Sequence, residues 1–562
     1  MQLIECVPNF SDGRNPQIIK QITGVIESIE GVQLLDVDPG KATNRTVVTF
    51  VGAPEAVIEA AFQAIKMAGE LIDMRQQTGE HPRQGATDVC PLIPIANITM
   101  RETVEWAKKL AQRVGEELEI PTYLYESAAS RPERQNLATI RAGEYEALPT
   151  KLGQTEWQPD FGKNEYNERV AQTGVTVIGA RDFLIAYNVN LNTTSVRRAN
   201  SVAFDIREKG RLKREGGKLN AKVLKDENGD PLREPGACKS VKGIGWFIEE
   251  YGVAQISMNL TNINITPMHI AFEETRKSAT RRGMRVTGSE LVGMVPLKVM
   301  LDAGRYFLTL QERSTGVAES ELIRIAIKSL GLEELTPFDP RQKIIEYRLE
   351  DLNATPLLNM NLRAFADETA SESPAPGGGS IAAYVGALGI SLATMVANLS
   401  AHKRGWDARW KEFSDWAETG QDLKDQLLAL VDEDTNAFNA IMTAFRLPKS
   451  TNAEKTARDA AIQAATRHAI EVPLKVMQLS LDTFGIIKAM AEVGNPNSVT
   501  DAGVGALCAR AAVRGAFLNV RINTGDLENK SFVADVIERG KVMVKQADAL
   551  EREVIELVEQ KI

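Results

Sequence analysis

The chain is short of the side chains that bind metals or form disulfides, with four cysteines and four histidines in 562 residues. The cysteines, at positions 6, 90, 238 and 508, lack the paired spacing of a zinc site or a disulfide framework. His269, His402 and His468 show no metal-binding spacing either, so we expect no metal. Residues 1–6 lack a charged segment followed by an apolar run, and we therefore expect no signal peptide and a cytoplasmic location.

An excess of positive charge is also missing. The 66 lysines and arginines are outnumbered by 75 aspartates and glutamates, which gives a net charge of −9. Because binding to a phosphate backbone needs a basic face, this balance argues against a nucleic-acid partner. Small-molecule substrates remain, since a local basic patch can still bind an anion.

Long apolar runs are scarce, but one stretch, 381–399, is uncharged and long enough to cross a membrane. It is rich in alanine, glycine and serine, which favours a helix buried in a bundle or oligomer over membrane insertion. A helix that is apolar on every side must be covered by protein. We therefore expect a homo-oligomer formed through the helical region.

At 562 residues the chain is too long for a single hydrophobic core. Apolar periodicity in the first part predicts the order βαββαβ, with a further helix over 103–118 and a strand over 122–125. The six elements of that order are predicted over 3–7, 16–29, 32–37, 46–51, 54–72 and 89–95. The same order is predicted again over 183–189, 194–209, 243–249, 254–260, 267–281 and 290–295. Between them, 210–239 is predicted to be a long, mobile, polar loop.

The strand signal ends after residue 362, where helical periodicity begins. Helices are predicted over 380–400, 406–445, 452–489, 504–523 and 531–562. The predicted fold is therefore multidomain, with two tandem α/β subdomains of βαββαβ type followed by an all-α helical bundle. We expect boundaries at 1–178, 179–336, a linker over 337–360, and 361–562.

The fourth histidine, His81, lies in a loop between glycines and a proline, beside Glu80 and Arg83. A loop histidine in this setting is typical of proton transfer, although a solvated turn explains it about as well. Asp36 and Asp38 share one strand face, and Asp38, nearer the strand end, is our choice for the carboxylate that orients the imidazole. Asp38 shaping a turn is the alternative.

Two further polar residues lie at comparable strand ends in the first part. Asn9 is in a strand-to-helix loop, and Arg45 directly precedes the strand predicted over 46–51. An arginine suits a substrate carboxylate, because its fork of donors matches the two oxygens.

In the helical part, a glycine-rich segment runs directly into the apolar helix; it consists of Gly377, Gly378, Gly379 and Ser380. Exposed N–H groups at such a helix start attract anions or heterocycle carbonyls, although a flexible linker is an equal explanation. Asp434 lies three residues after Val431 and four before Phe438, near an apolar face. A carboxylate there tends to have a raised pKa and can transfer protons.

The other polar residues of the helical part are expected to have structural or surface roles, or to contact a ligand. Asp432 and Glu433 are expected to face water, and Asp501 to cap a helix. Asn519 and Asn523 share a helix face, where they bind a polar ligand or bridge helices.

Several of these segments resemble known enzymes when they are taken together. Segments 5–11, 44–46, 79–83, 141–148 and 159–162 resemble glutamate formiminotransferase. Segments 375–380, 430–438 and 446–449 are similar to formimidoyltetrahydrofolate cyclodeaminase. Both parts occur in this order in the bifunctional formiminotransferase-cyclodeaminase family, and the resemblance covers nearly the whole chain.

The resemblance implies a bifunctional folate enzyme of histidine degradation. The first module would transfer the formimino group between N-formimino-L-glutamate and tetrahydrofolate. The second would close 5-formimino-tetrahydrofolate to 5,10-methenyl-tetrahydrofolate and release ammonia. It implies that His81 is the transferase acid/base, that Asp38 orients it, and that Asp434 is the cyclodeaminase acid/base.

The resemblance also implies the folate contacts and the assembly. Residues 162–174 match the family's folate-contacting loop, which here includes Gly162, Lys163, Asn164, Tyr166 and Gly174. The co-substrate would be tetrahydrofolate, with or without a polyglutamyl tail, and the assembly a larger ring. Three alternatives stay open: one inactive module, formyltransferase or methenyl-folate cyclohydrolase activity, and a folate-binding scaffold without catalysis.

Overall fold

A computed structural model describes residues 2–40, 44–79, 82–217, 221–249, 251–349, 356–525 and 527–562. Contacts divide the chain into an α/β unit, residues 1–299 with 330–349, and a helical unit, residues 300–329 with 350–562. An α/β region followed by a helical region confirms the predicted class at this level.

The elements of the α/β unit alternate along the chain. Its strands are β1 Leu3–Cys6, β2 Asn9–Phe10, β3 Val32–Gly40, β4 Arg45–Gly52, β5 Thr87–Ala96, β6 Thr122–Glu126, β7 Thr176–Ala180, β8 Ile185–Leu191, β9 Arg211–Leu212, β10 Arg233–Glu234, β11 Val241–Ile248, β12 Val253–Leu260 and β13 Val286–Val292. Helices up to the last strand are α1 Pro16–Glu27, α2 Pro54–Leu71, α3 Met100–Glu117, α4 Leu137–Ile140, α5 Leu148–Lys151, α6 Glu168–Thr173, α7 Val196–Ile206 and α8 Met268–Arg281.

Helices alone follow the last strand. They are α9 Leu297–Leu310, α10 Glu319–Leu330, α11 Pro340–Lys343, α12 Ile345–Leu349, α13 Leu362–Thr369, α14 Gly378–Ala401, α15 Trp410–Phe445, α16 Asn452–Val493, α17 Val499–Asn523 and α18 Lys530–Glu559.

The first sheet has seven strands. β1 pairs antiparallel with both β4 and β5, and β3 pairs with the far side of β4. β7 and β6 extend the sheet beyond β5 by parallel pairing. β7 was not predicted, and it ends two residues beyond the expected boundary at 178. Its residues are all buried, so it lacks the alternation of polar and apolar residues that marks a half-exposed strand.

The second sheet has four antiparallel strands in the order β11-β12-β8-β13. β8, the first of these four strands along the chain, lies between β12 and β13. In the same way, β1 lies between β4 and β5 in the first sheet. Strands β3, β4, β1 and β5 of the first sheet therefore lie in the same order as β11, β12, β8 and β13 of the second.

The helices of the first sheet form where local signals place them. Asn15 caps α1, which begins at Pro16, and Thr99 with Glu102 forms a capping box at α3. Their buried residues pack with strand residues such as Phe50 and Leu92 in one apolar core. Helices α1, α2 and α3 thus cover one face of this sheet. Part of the other face packs against α4, α5 and α6 in a second apolar cluster.

The loop 210–239 contains short strands. β9 and β10 pair in it, and further bridges join Arg214 to Val223 and Lys225 to Pro231. Part of its backbone is therefore paired within the described residues, which the sequence did not predict. The mobility of the loop stays a prediction.

Two segments near the predicted linker belong to units other than those in which the predicted boundaries place them. α11 and α12, within 337–360, group with the α/β unit, where Ile345 is fully buried against Leu35 and Val51. Residues 300–329 group with the helical unit, because Ser314 donates its N–H to His402 and Thr315 donates its N–H to Ser414. The other predicted boundaries stay predictions.

The helical unit is built around α14, which packs against α15, α16 and α17. Small residues allow this: a Cβ on Gly386 would lie 2.7 Å from the Ser480 hydroxyl, and one on Gly389 would lie 2.9 Å from the Gly505 carbonyl. By length and composition α14 alone among the described helices is apolar enough to cross a membrane, and 61% of its most apolar window is buried in the fold.

Candidate active sites

The α/β unit contains a cavity of about 990 Å³ lined mainly by polar and charged residues. Both residues predicted at strand ends, Asn9 and Arg45, line it. Sequence reasoning did not single out three other cations on its wall, Arg141, Arg181 and Lys242. Three acids, Glu126, Glu144 and Asp182, line it as well. The four cations exceed these acids by one, so the cavity can bind an anionic ligand.

A buried carboxylate holds two of these arginines. Asp88 has no exposed side-chain surface, and its Oδ2 accepts from Arg45 Nη1 at 2.7 Å and from Arg141 Nη2. Its Oδ1 accepts the Gln84 N–H at 3.0 Å, and Arg45 Nε donates to Asn9 Oδ1 at 2.8 Å. Burial lowers the pKa of Arg45, an effect that the Asp88 charge opposes. One carboxylate shared by two guanidinium groups leaves a net positive charge at the wall.

Sequence reasoning missed Asp88, although a signal existed. It follows Thr87 at the start of β5, a strand whose first seven residues are all buried. An acid inside a buried strand needs a cationic partner, because an unpaired buried charge is strongly unfavourable.

His81 lies outside the described residues, as does Glu80. Pro82, the residue that follows, lines the cavity. Arg83 forms ion pairs with Glu144 at 3.2 Å and with Glu146 at 2.7 Å, and its carbonyl accepts the Tyr145 N–H at 2.9 Å. The chain that follows His81 is therefore tied to residues 144–146 at the cavity rim.

Asp38 lies on β3 and is exposed. It is opposite Val47 on β4, which in turn is opposite Asn9 on β2, so the three residues share one face of the sheet. Asp38 lines a second cavity, of about 460 Å³, together with Glu290 and Lys343. Its contact with His81 stays a prediction.

The predicted folate loop is anchored by its own contacts. Lys163 pairs with Glu119 at 2.9 Å, and Asn164 Oδ1 accepts the Gly153 N–H at 3.0 Å. The Tyr166 hydroxyl lies 3.4 Å from that of Tyr145. Gly162 and Gly174 bound the loop with φ of 86° and 66°. Among the described residues that line the 990 Å³ cavity, none of the five predicted loop residues appears.

In the helical unit, Asp434 on α15 meets the start of α14. The Ser380 hydroxyl donates to Asp434 Oδ2 at 3.2 Å, and the Ser380 backbone N–H also donates to this carboxylate. Burial raises the pKa of Asp434, and the bonds from Ser380 oppose that rise. The fold therefore brings together the glycine-rich segment and the acid that the sequence placed near an apolar face.

The glycines make this approach possible. A Cβ on Gly379 would lie 2.1 Å from Asp434 Oδ1, closer than any real contact, whereas one on Gly378 would lie 3.4 Å from Asn519 Nδ2. Gly377, Gly378 and Asp434 line a pocket of about 150 Å³. Gly379 is thus required by the carboxylate rather than by chain flexibility.

Asn519 and Asn523 line the same pocket. Their amide nitrogens donate to the carbonyls of Gly515 at 3.0 Å and Ala469 at 2.7 Å. Each side chain thus bridges to backbone, and its oxygen makes no hydrogen bond among the described residues. Asn523 therefore bridges α17 to α16, whereas the bond of Asn519 stays within α17. Ligand binding by these two amides stays a prediction.

Asp432 corrects an expectation from sequence. It is buried rather than exposed, and its two oxygens accept the N–H groups of Leu357 at 3.0 Å and Leu358 at 3.2 Å. Glu433 is partly exposed and contacts His468 Nε2 at 2.8 Å. Helical spacing alone did not reveal the segment before α13 that covers Asp432. In the described parts of the chain, no three His, Cys, Asp or Glu residues are grouped to hold a metal ion.

Three family models match the chain in sequence order. "Formiminotransferase domain, N-terminal subdomain" matches residues 3–181, "Formiminotransferase domain" matches 186–350, and "Formiminotransferase-cyclodeaminase" matches 361–541. Together they cover most of the chain.

Curated relatives agree with these models. A formimidoyltransferase-cyclodeaminase from Rattus norvegicus is 43% identical over 547 residues, 97% of each chain. A glutamate formimidoyltransferase from Streptococcus pyogenes is 40% identical over 55% of this chain and 95% of its own. A methenyltetrahydrofolate cyclohydrolase from Methylorubrum extorquens is 35% identical over 36% of this chain and 98% of its own.

Proposed function

Because the chain belongs to the formiminotransferase-cyclodeaminase family, we propose that it is a bifunctional folate enzyme of histidine degradation. The α/β unit transfers the formimino group between N-formimino-L-glutamate and tetrahydrofolate. The helical unit closes 5-formimino-tetrahydrofolate to 5,10-methenyl-tetrahydrofolate and releases ammonia.

One observation carries this proposal: a bifunctional relative is 43% identical over 97% of both chains, so the two modules are matched together and in order. A relative named for the transferase alone matches the first module, which supports separate activities. The shared strand order of the two sheets supports a finer statement, that the α/β region consists of two tandem βαββαβ subdomains.

In the transfer step, a nitrogen of tetrahydrofolate attacks the electrophilic formimino carbon, and the glutamate nitrogen leaves. The attacking nitrogen loses a proton and the leaving nitrogen gains one, so one group with a pKa near neutral serves both transfers. We assign this role to His81 and assign its orientation to Asp38. Asn9 and Arg45 bind substrate at the wall of the 990 Å³ cavity.

In the closing step, N10 of the folate attacks the same carbon and ammonia departs. Asp434 accepts the proton from N10 and returns it to the leaving nitrogen, a role that suits a carboxylate whose pKa is raised by burial. The N–H groups of Gly377, Gly378 and Gly379 at the start of α14 face polar atoms of the folate, while the N–H of Ser380 holds Asp434 beside them. Neither step as written requires a metal.

Folate binding to the α/β unit involves the loop 162–174 in this proposal. Gly162, Lys163, Asn164, Tyr166 and Gly174 form it, and tetrahydrofolate is a co-substrate that can carry a polyglutamyl tail. These residues lie outside the lining of the main cavity, so the loop contacts the folate away from the reacting carbon.

The helical unit forms the homo-oligomer in this proposal, and the protein acts in the cytoplasm. Three large apolar residues of α14, Leu388, Met395 and Leu399, are 39–46% exposed. Positions separated by seven and then four residues lie along one side of a helix. Such a row suits a second copy. Replacement of Met395 by Lys should lower the mass found by light scattering; an unchanged oligomer would contradict this interface.

The direct test of the function is an assay of the purified chain with formiminoglutamate and tetrahydrofolate. Methenyl-tetrahydrofolate, followed by absorbance, and ammonia should form in equal amounts. Folate-dependent loss of formiminoglutamate without methenyl product would show an active first module and an inactive second. Binding of folate without turnover would show a scaffold.

A second candidate for the helical unit is methenyl-folate cyclohydrolase activity. It is favoured by the 35% identity to a cyclohydrolase that this region covers almost completely. Supplied methenyl-tetrahydrofolate would then lose its absorbance faster with enzyme than in buffer. A rate equal to buffer would exclude this activity.

A further inference from the structure

Arg141 lies on the wall of the 990 Å³ cavity with 14% of its side chain exposed. It shares Asp88 with Arg45, so two positive charges face one negative charge. Because Asp88 is fully buried and its two oxygens are engaged by Arg45, Arg141 and Gln84, it is not available to a ligand. The surplus positive charge of this Asp88 cluster therefore faces the cavity, whose wall also holds Glu126, Glu144 and Asp182.

Arg141 depends on Asp88 for its orientation more than Arg45 does. Arg45 is also held by Asn9, through a bond of 2.8 Å. For Arg141, the hydrogen bond from Nη2 to Asp88 is the one that its side chain makes among the described residues, and its Nε is buried without an acceptor. Loss of the Asp88 charge would therefore release Arg141 from its position.

We infer that Arg141 recognises the carboxylate of a glutamyl group in this cavity and that Asp88 is the positioning residue that aims it. This inference rests on the proposed transferase function and adds its specificity-determining residue. A planar guanidinium fixed at one edge binds a carboxylate with its remaining donors, whereas a neutral amide cannot pair with it equally well. Both substrates carry glutamyl carboxylates, so the experiment must separate them.

The test is steady-state kinetics of transfer by the full chain, with Arg141→Gln, Arg141→Lys and Asp88→Asn. One arm compares formiminoglutamate with formiminoglutamine, which lacks the side-chain carboxylate, and with formiminoisoglutamine, which lacks the α-carboxylate. The other compares tetrahydrofolate with tetrahydropteroate, which lacks the glutamyl group. Asp205→Asn and Arg282→Gln are matched controls, since Asp205 also holds several arginines, Arg211, Arg281 and Arg282, away from the cavity lining.

For Arg141→Gln we expect KM for one glutamyl substrate to rise about 10- to 100-fold, the size of a lost charged hydrogen bond, with kcat nearly unchanged. Preference for that substrate over its neutral analogue should fall by a similar factor, and Arg141→Lys should restore part of it. The arm in which the preference falls identifies the bound group. The two control variants should leave these preferences at the wild-type value.

For Asp88→Asn we expect the same loss of preference. A lower KM in this variant would show that Asp88 only offsets positive charge, and would overturn its positioning role. If Asp88→Asn fails to fold, the Arg141 variants decide recognition, and Asp88→Glu, which keeps the charge, decides positioning by whether it retains the preference. Unchanged preferences in Arg141→Gln would overturn the inference, whereas a wild-type chain without transfer would instead overturn the proposed function.

Discussion

The two candidate sites differ in the charged residues that line them. The α/β cavity has about 990 Å³ and is lined by four cations, two of them held by the buried Asp88, and by three acids, Glu126, Glu144 and Asp182. The helical pocket has about 150 Å³, and none of its described lining residues is a cation. Its one charged lining residue is Asp434.

This difference follows from what each proposed reaction needs. A site that receives an anionic amino-acid derivative must offset the substrate's charge, which paired arginines do. Ring closure within one bound folate needs a group that gains and loses a proton. Without a nearby cation, burial raises the pKa of Asp434 and makes its protonated form accessible.

The largest predicted effect comes from a substitution that inactivates the helical site alone. Asp434→Asn should reduce ring closure about 10²- to 10⁴-fold, because the amide cannot transfer a proton, while formimino transfer continues. 5-Formimino-tetrahydrofolate should accumulate, which chromatography of the products would show. Glu433→Gln is the control, since Glu433 lies next in sequence but outside the pocket lining. Equal losses in both variants would argue against a specific role for Asp434.

His81→Ala should break the α/β site with a similar loss, about 10²- to 10⁴-fold in transfer. Cyclodeamination of supplied 5-formimino-tetrahydrofolate should stay nearly intact, because that step is assigned to the other unit. Retention of more than about a tenth of the transfer rate would show that His81 is not the acid/base.

A third prediction sharpens the comparison by changing only a glycine. Gly379→Ala forces a Cβ to within 2.1 Å of Asp434 Oδ1, so the carboxylate or α14 must move. We expect a loss of about 1–3 kcal/mol in the unfolding free energy of the helical unit, measured by denaturant titration, together with slower ring closure. Gly378→Ala, whose Cβ has 3.4 Å of room, should be milder. Equal costs would mean that helix entry, and not Asp434, requires these glycines.

The sequence predicted the helical site better than the α/β site, for a physical reason. Helical spacing places Asp434 near an apolar face, and a glycine-rich helix start is visible in the chain. The ion pairs of Asp88 with Arg45 and Arg141 join residues 43 and 53 positions apart, which no local pattern records. The resemblance indicated the segment that contains Arg141 but not its partner.

The prediction of strands failed where both faces of a strand are buried. β7 consists of buried residues and lies between β5 and β6, so its pattern has no polar alternation. Asp432 is covered by Leu357 and Leu358, about 75 residues earlier in the chain. Helical spacing around Asp432 carries no information about that segment, so it predicted an exposed side chain.

The smallest predicted effect concerns stability and pH. Folding raises the pKa of Asp434, so its charged form costs stability at pH values above its ordinary pKa. Asp434→Asn should therefore unfold at a higher temperature than wild type at pH 7, and its unfolding free energy should be larger by at most about 2 kcal/mol. This advantage should disappear as the pH falls below the ordinary aspartate value of about 3.9, because Asp434 is then protonated in both the folded and the unfolded chain. Lower stability of the variant at pH 7 would contradict the raised pKa.

The most direct test of two sites with successive roles is a mixing experiment with His81→Ala and Asp434→Asn. Each variant alone, supplied with formiminoglutamate and tetrahydrofolate, should form almost no methenyl-tetrahydrofolate. The mixture should form it, because the Asp434→Asn chain supplies 5-formimino-tetrahydrofolate and the His81→Ala chain closes it. Failure of the mixture, with each variant folded and 5-formimino-tetrahydrofolate present in solution, would contradict the assignment of the two steps to separate units.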